Sequence, residues 1–126
     1  MDDIELVREA GQALEKAYAP YSNFRVGACA LTPDGKTYAA CNVENSSLGL
    51  TICAERAAIF AAVAAGHTRI EKVAVVGESA AKPPLPCGAC LQVMSEFGVG
   101  TVVVGTLGGP PRAYGLAELL PRPFSL

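Results

Sequence analysis

The chain has 126 residues, a length that fits one domain, and 51% of them are hydrophobic, enough for a core without staples. Ten lysines and arginines stand against twelve acids, a formal net charge of -2 with no basic run, which argues against a nucleic-acid or anionic-membrane surface. The acidic N-terminus is unlike a signal peptide, the longest helix-like apolar run (57–65) is far short of the roughly 20 residues that span a bilayer, and the cysteines number an odd five. The expectation is a cytoplasmic protein in which cysteine serves metal or thiol chemistry rather than a disulfide framework.

Ile4, Val7, Ala10, Leu14 and Ala17 recur at helical spacing, and Asp2 with Glu5 three positions on makes a capping pattern, so a first helix is predicted over 3–17. Pro20, in APYSNF, breaks it. Residues 24–43, FRVGACALTPDGKTYAACNV, read as a β-hairpin, two small-and-branched runs around Pro33, Asp34 and Gly35. Residues 44–51 hold Asn45, Ser46, Ser47 and Gly49 and form a loop. The alanine-rich stretch 53–65, stopped by Gly66, is a second helix. KVAVVG (72–77) is a short apolar strand. Pro83, Pro84 and Pro86 make 78–86 a loop, because proline cannot sit in a helix interior. A third helix runs over 88–97 and stops at Gly98. TVVVG (101–105) is a buried strand, GGPP a loop, and 116–120 a short helix ended by Pro121.

The order α-β-β-α-β-α-β-α, in one domain spanning 1–126, predicts right-handed crossovers and a mixed sheet covered by helices. In such a sheet the N-termini of successive helices emerge on the same side. Cys53 and Glu55 open the second helix; Cys87 and Cys90 open the third. Helix N-termini stabilise negative charge and lower thiol pKa values, which suits three thiolates on zinc. Structural zinc sites close with four protein ligands, whereas catalytic ones use three and leave a place for water. The local motifs supply three. Glu55, two residues from Cys53, is off its helix face and can lean over the open position, where a carboxylate can carry a proton from water to a substrate.

Alternatives stand beside this. Cys87 and Cys90 alone, a C-x-x-C, could be half of a structural zinc knuckle or a redox pair. Cys29 and Cys41 could add a fourth ligand, but both fall in predicted strands and read as buried, reduced core thiols. The combination Cys-Ala-Glu with Pro-Cys-Gly-Ala-Cys is far more specific than its parts. It matches the zinc-deaminase signature in its three-cysteine form.

With AYAPYSNFRVGA, CNVENSS, TICAERAA, PCGACLQ and LLPRPF in order, the chain resembles, over nearly its whole length, the small zinc-dependent cytidine deaminases of nucleoside salvage. That resemblance implies a three-layer α/β/α sandwich with a mixed sheet of about five strands. It implies hydrolytic deamination of cytidine and 2'-deoxycytidine to uridine and 2'-deoxyuridine with release of ammonia, in pyrimidine salvage, by a homotetramer with one zinc per subunit. Zinc-bound water is then the nucleophile. Residue by residue, Cys53, Cys87 and Cys90 match the zinc ligands and Glu55 the proton shuttle. Phe24 matches the aromatic on the pyrimidine, and Asn42 and Glu44 the pair that bonds the ribose. Phe124 matches an aromatic reaching a neighbouring subunit's pocket, and Arg56 the arginine that draws charge from the sulfurs.

Two positions depart from the family pattern. Leu91 stands where the family usually has arginine, and Leu48 where it usually has tyrosine. Leu91 either leaves charge compensation to Arg56 and the helix N–H groups or packs away from the metal. Without the family match, Phe24 reads as core, Asn42 as turn chemistry and Glu44 as a solvated charge. His67, past the second helix, reads as an exposed loop residue. Cys53 fills the place two before Glu55, which separates the chain from His-Ala-Glu deaminases, many of which edit nucleic acids. Two other functions remain open on the sequence: a deaminase of another aminopyrimidine nucleoside, such as a nucleoside antibiotic, and a structural zinc module with a four-ligand closed site.

Overall fold

A reciprocal cap starts the first helix. The Asp2 side chain accepts from Glu5 N–H and the Glu5 side chain accepts from Asp2 N–H, so two otherwise orphaned donors are satisfied. The computed structural model describes residues 1–126. In chain order it holds α1 (Asp3–Leu14), β1 (Val26–Leu31), β2 (Thr37–Cys41), a single 3₁₀ turn (Leu48–Leu50), α2 (Ala54–Ala64), β3 (Lys72–Gly77), α3 (Gly88–Glu96), β4 (Thr101–Thr106), β5 (Arg112–Gly115) and α4 (Leu116–Leu119). The strands form one mixed sheet in the order β2-β1-β3-β4-β5. Only β3 and β4 are parallel neighbours; the other pairs are antiparallel.

Alternation along the central strands divides the core into two. Ala28 and Ala30 of β1, Val73 and Val75 of β3, and Val102 and Val104 of β4 face one way, against Ala58, Ile59 and Ala62 of α2 and Met94 of α3. Cys29, Leu31, Ala74, Val76 and Val103 face the other way, against Leu6, Ala10 and Leu14 of α1. This is the three-layer α/β/α sandwich. It arises because strands buried on both faces carry nearly continuous small and branched apolar residues.

The approach of α1 to the sheet is set by one glycine. A Cβ on Gly27 would lie 1.9 Å from the Ala10 carbonyl oxygen and 2.6 Å from Leu14 N, both backbone atoms that cannot swing aside. Gly27→Ala is expected to push α1 off β1 and lower stability by about 1–3 kcal/mol or more, as overpacking does. A melting temperature equal to that of the unaltered chain would show that α1 shifts without cost.

One predicted boundary moved and one strand was not predicted from the residue pattern. α1 ends at Leu14 rather than 17, because Glu15, Lys16 and Ala17 close onto Gln12, Ala13 and Leu14 in tighter i→i−3 turns. The fifth strand, β5, was absent from the residue-pattern reading, although the family resemblance expected about five. It is a short, largely exposed edge strand without apolar alternation. The remaining helices and strands lie within about two residues of their predicted places, and the expected loop 44–51 contains the 3₁₀ turn. No helix is long and apolar enough to cross a membrane.

The sheet order has one consequence for function. β2 and β3 are both antiparallel to β1, so they run in the same direction. α2 follows β2 and α3 follows β3, so both helices begin at the same edge of the sheet.

Candidate active site

Cys53 is the N-cap of α2 and Cys87 the N-cap of α3, each in extended conformation and each without a side-chain capping bond. Cys90 lies in the first turn of α3. The three sulfurs sit within 4.8 Å of one another. Cys53 Sγ and Cys87 Sγ are 3.8 Å apart. Two sulfurs on a tetrahedral zinc with bonds of about 2.3 Å would stand about 3.8 Å apart. The donor set and its spacing therefore fit zinc. Neither Cys29 nor Cys41 joins the cluster: Cys29 is wholly buried on the α1 face of the sheet and Cys41 is half-buried at the end of β2.

Charge at the cluster follows from its contacts. The Cys53 thiol is drawn down to about 5, chiefly by its hydrogen bond with Cys90, with Arg56 and Cys87 adding against the effect of burial. Cys90 is driven well above the usual thiol range by the same Cys53 contact and by burial. Without a cation, one thiolate is favoured and its neighbour keeps its proton; three thiolates together call for a metal. The lone core thiol Cys29, by contrast, is pushed up to about 12, mainly by burial.

Arg56 donates from Nη2 to Cys53 Sγ at 3.4 Å. Its Nε is buried and finds no partner within the chain. Leu91 is only 8% exposed and belongs to the core cluster that also takes in Cys90. Its side chain is thus buried and apolar, and Arg56 is the guanidinium at the cluster. Glu55, next along α2, is 5% exposed. Burial pushes its carboxyl up to about 7, opposed by its own backbone N–H; the Cys53 charge adds to the rise and Arg56 works against it.

Cys53, Cys87 and Glu55 open into a cavity of about 360 Å³, within the ~300–1,000 Å³ range of small-molecule sites. Phe24, Asn42 and Glu44 line it, together with Cys53, Cys87 and Glu55. A hollow of about 410 Å³ lies beside α1, lined by Ile4, Val7 and Leu107, and holds none of the thiols.

Two connecting segments, between α1 and β1 and between β2 and α2, build the far wall, and backbone bridges lock them together. Val43 exchanges both backbone hydrogen bonds with Ile52, at 3.0 Å each. Tyr18 N donates to Asn42 O at 3.0 Å, and Glu44 N to Tyr18 O at 2.8 Å. Asn42 is buried; its Oδ1 accepts from Val26 N at 2.9 Å and its Nδ2 donates to Phe24 O at 3.0 Å. Asn23 takes φ 56°, a left-handed conformation that asparagine tolerates better than most residues, and so turns the chain into Phe24. The Phe24 ring has room because Gly77 ends β3: a Cβ there would lie 2.9 Å from Phe24 Cζ.

Six of the residues singled out in the sequence thus converge: Cys53, Cys87, Glu55, Phe24, Asn42 and Glu44, with Cys90 and Arg56 just behind the sulfurs. Phe124 does not line this cavity. It lies on the C-terminal tail, 70% exposed, its carbonyl accepting from Gln92 Nε2 at 2.9 Å. His67 differs from expectation; it is half-buried, its ring 5.5 Å from that of Tyr38. Sequence reasoning missed Ser22, Thr51, Lys82, Pro84 and Leu85, which also line the cavity. Only the family motif around APYSNF gave any signal for Ser22, and none pointed to Lys82, whose Nζ stands 5.5 Å over the Phe24 ring.

Residues 1–106 match the family described as cytidine and deoxycytidylate deaminase zinc-binding region. A cytidine deaminase from Halalkalibacterium halodurans is 45% identical over 127 residues, covering 99% of this chain and 96% of that protein. The crystal structure of cytidine deaminase from Burkholderia pseudomallei superposes with a TM-score of 0.92 at 49% identity, covering 98% of this chain and 100% of that one. That of cytidine deaminase from Mycobacterium tuberculosis gives 0.83 at 41% identity, covering 100% and 99%. The three-cysteine cluster and the matched zinc-binding region agree on one zinc per chain.

Proposed function

The chain is an enzyme of the cytidine deaminase family, and we propose that it converts cytidine and 2'-deoxycytidine, with water, to uridine and 2'-deoxyuridine plus ammonia. The observation that carries this is one cavity lined by Cys53 and Cys87 of the three-sulfur cluster, by the buried carboxyl of Glu55, and by Phe24, Asn42 and Glu44. Cys53, Cys87 and Cys90 would hold zinc, which when bound would supply the Lewis acidity that lets water act as a nucleophile near neutral pH. Glu55 does the proton work. It takes a proton from water and delivers it to the pyrimidine ring nitrogen beside the carbon under attack. It then carries the proton left on the incoming oxygen to the leaving amino nitrogen, so that ammonia departs as that oxygen becomes the ring carbonyl. A carboxyl titrating near neutrality suits both directions.

Phe24 stacks on the pyrimidine. Asn42 and Glu44 hold the sugar, and counting their bonds supports this. An ionised carboxylate has about four acceptor positions. In Glu44, Oε1 accepts from Tyr21 N and Ser22 N, and Oε2 from Ser22 Oγ. About one position is left. Asn42 has one N–H left over after its bond to Phe24 O. A sugar hydroxyl is both donor and acceptor, so it satisfies the two together.

The same reading makes the chain a single domain that acts in the cytoplasm, in pyrimidine salvage, and assembles as a homotetramer. Phe124 of one subunit then enters a neighbour's pocket. The exposed apolar side chains of Leu48, Leu50 and Phe124 support assembly, since such groups usually find cover. Incubation of the zinc-loaded protein with cytidine, 2'-deoxycytidine and free cytosine tests the proposal. Cytidine and 2'-deoxycytidine are expected to yield uridine and 2'-deoxyuridine respectively, each with an equal amount of ammonia, and cytosine, without a sugar, to be a poor substrate. Efficient turnover of cytosine, or no ammonia from either nucleoside, would reject the substrate assignment.

A further inference from the structure

Ser22 stands between two of the groups assigned to the substrate. Its Oγ donates to Glu44 Oε2 at 2.5 Å and accepts from Phe24 N at 3.1 Å. The direction of the first bond is fixed by chemistry. The hydroxyl has one proton, the Phe24 N–H can only donate, and an ionised carboxylate can only accept. The same residue's backbone N–H joins that of Tyr21 on Glu44 Oε1, at 3.1 and 2.9 Å. Glu44 is therefore held at both oxygens by one turn of chain, and only the Oε2 contact depends on a side chain.

Building on the sugar contact proposed above, we propose that Ser22 is a positioning residue for substrate recognition, orienting the Glu44 carboxylate so that its last acceptor position meets a sugar-ring hydroxyl. The backbone donors on Oε1 alone tether the carboxylate but leave it free to rotate about that tether. The serine hydroxyl removes the rotation and fixes where Oε2 points. Its second bond, from Phe24 N, ties that orientation to the backbone carrying the base platform. The spacing between the sugar contact and the stacking ring is thereby set by one exposed hydroxyl rather than by the core. The lowered pKa of Glu44, whose largest cause is the Ser22 side-chain bond, agrees with the carboxylate being the partner.

The test is steady-state kinetics of the zinc-loaded enzyme with Ser22→Ala, Ser22→Thr, Glu44→Gln and the Ser22→Ala/Glu44→Gln pair. Substrates are cytidine and 2',3'-dideoxycytidine, which lacks both ring hydroxyls. Ser22→Ala is expected to raise KM for cytidine about tenfold, the scale of a weakened hydrogen bond to a charged group, with kcat within about twofold. It should leave kcat/KM for the dideoxynucleoside unchanged. The double variant should be no worse than Glu44→Gln, and Ser22→Thr, which keeps the hydroxyl, should restore KM. Ser22 is on an exposed loop, and zinc content near one per chain in each variant checks the fold. An unchanged KM in Ser22→Ala, an equal loss on the dideoxynucleoside, or additive losses in the double variant would overturn the inference alone. An unchanged cytidine KM in Glu44→Gln would overturn both the inference and the sugar contact on which it rests.

Discussion

Glu55→Gln is expected to keep zinc and fold while losing turnover by at least the ~10²- to 10⁴-fold that general acid–base groups contribute. The amide matches the carboxyl in size, so the buried site beside Cys53 has nothing new to accommodate. What it loses is the ability to take up and release a proton near neutral pH. Hydrolysis of a 4-aminopyrimidine needs at least two transfers, one away from water and one onto the leaving nitrogen. A single residue serving both makes the loss larger than for a group used once. Burial that raises the Glu55 carboxyl to about 7 is consistent with that double use. A purely structural Glu55 predicts instead a variant that turns over almost normally. Turnover above about a tenth of the unaltered enzyme, at full zinc occupancy and unchanged melting temperature, would end the proton-shuttle assignment.

Much of this site was legible in the sequence because its placement is local. Cys53, Glu55, Cys87 and Cys90 lie at the starts of two helices, and the alternation of strands and helices determines that those starts share an edge. Nothing beyond pattern and crossover handedness is needed for that step. Asn42, Glu44 and Phe24 are another matter. Their own residue types favour turn chemistry, solvated charge and core, and only motif resemblance nominated them. Their roles rest on bonds between stretches more than fifteen residues apart, such as Val26 N to Asn42 Oδ1 and Tyr21 N to Glu44 Oε1. No periodicity encodes such pairs. Ser22 was passed over for the same reason: a serine after a helix-breaking proline looks like punctuation until its partner is seen. β5 escaped because an exposed edge strand has no buried face to pattern. Resemblance marks Leu91 as a departure from the family pattern, and its burial in the core cluster is visible only once α2 and α3 are packed on the sheet.

The cysteines permit the sharpest separation of one chemistry from another, because all five are present in one chain and only three are placed to share a metal. Cys53→Ala, Cys87→Ala and Cys90→Ala are each expected to lose zinc and activity together. With three protein ligands, removing one leaves two thiolates to hold the ion, and structural and catalytic zinc both rely on a full ligand count. The loss at Cys90 carries a packing penalty as well, since that side chain is buried in the core cluster between α2 and α3. Cys87 is the cleanest probe: it is exposed, so its removal leaves the apolar core intact. Cys29→Ala and Cys41→Ala should keep one zinc per chain. Cys29 is expected to lower stability modestly, because it fills space on the α1 face beneath Leu6 and Leu14, but it lies in the cluster on the opposite side of the sheet from Cys90. Its high thiol pKa, raised mainly by burial, also makes it a poor source of thiolate. Metal content and turnover measured on all five variants decide between an open three-ligand site and a closed four-ligand one. Loss of zinc from the Cys29 or Cys41 variant would mean that a fourth sulfur closes the metal, and the place for water, and with it hydrolysis at this site, would be gone.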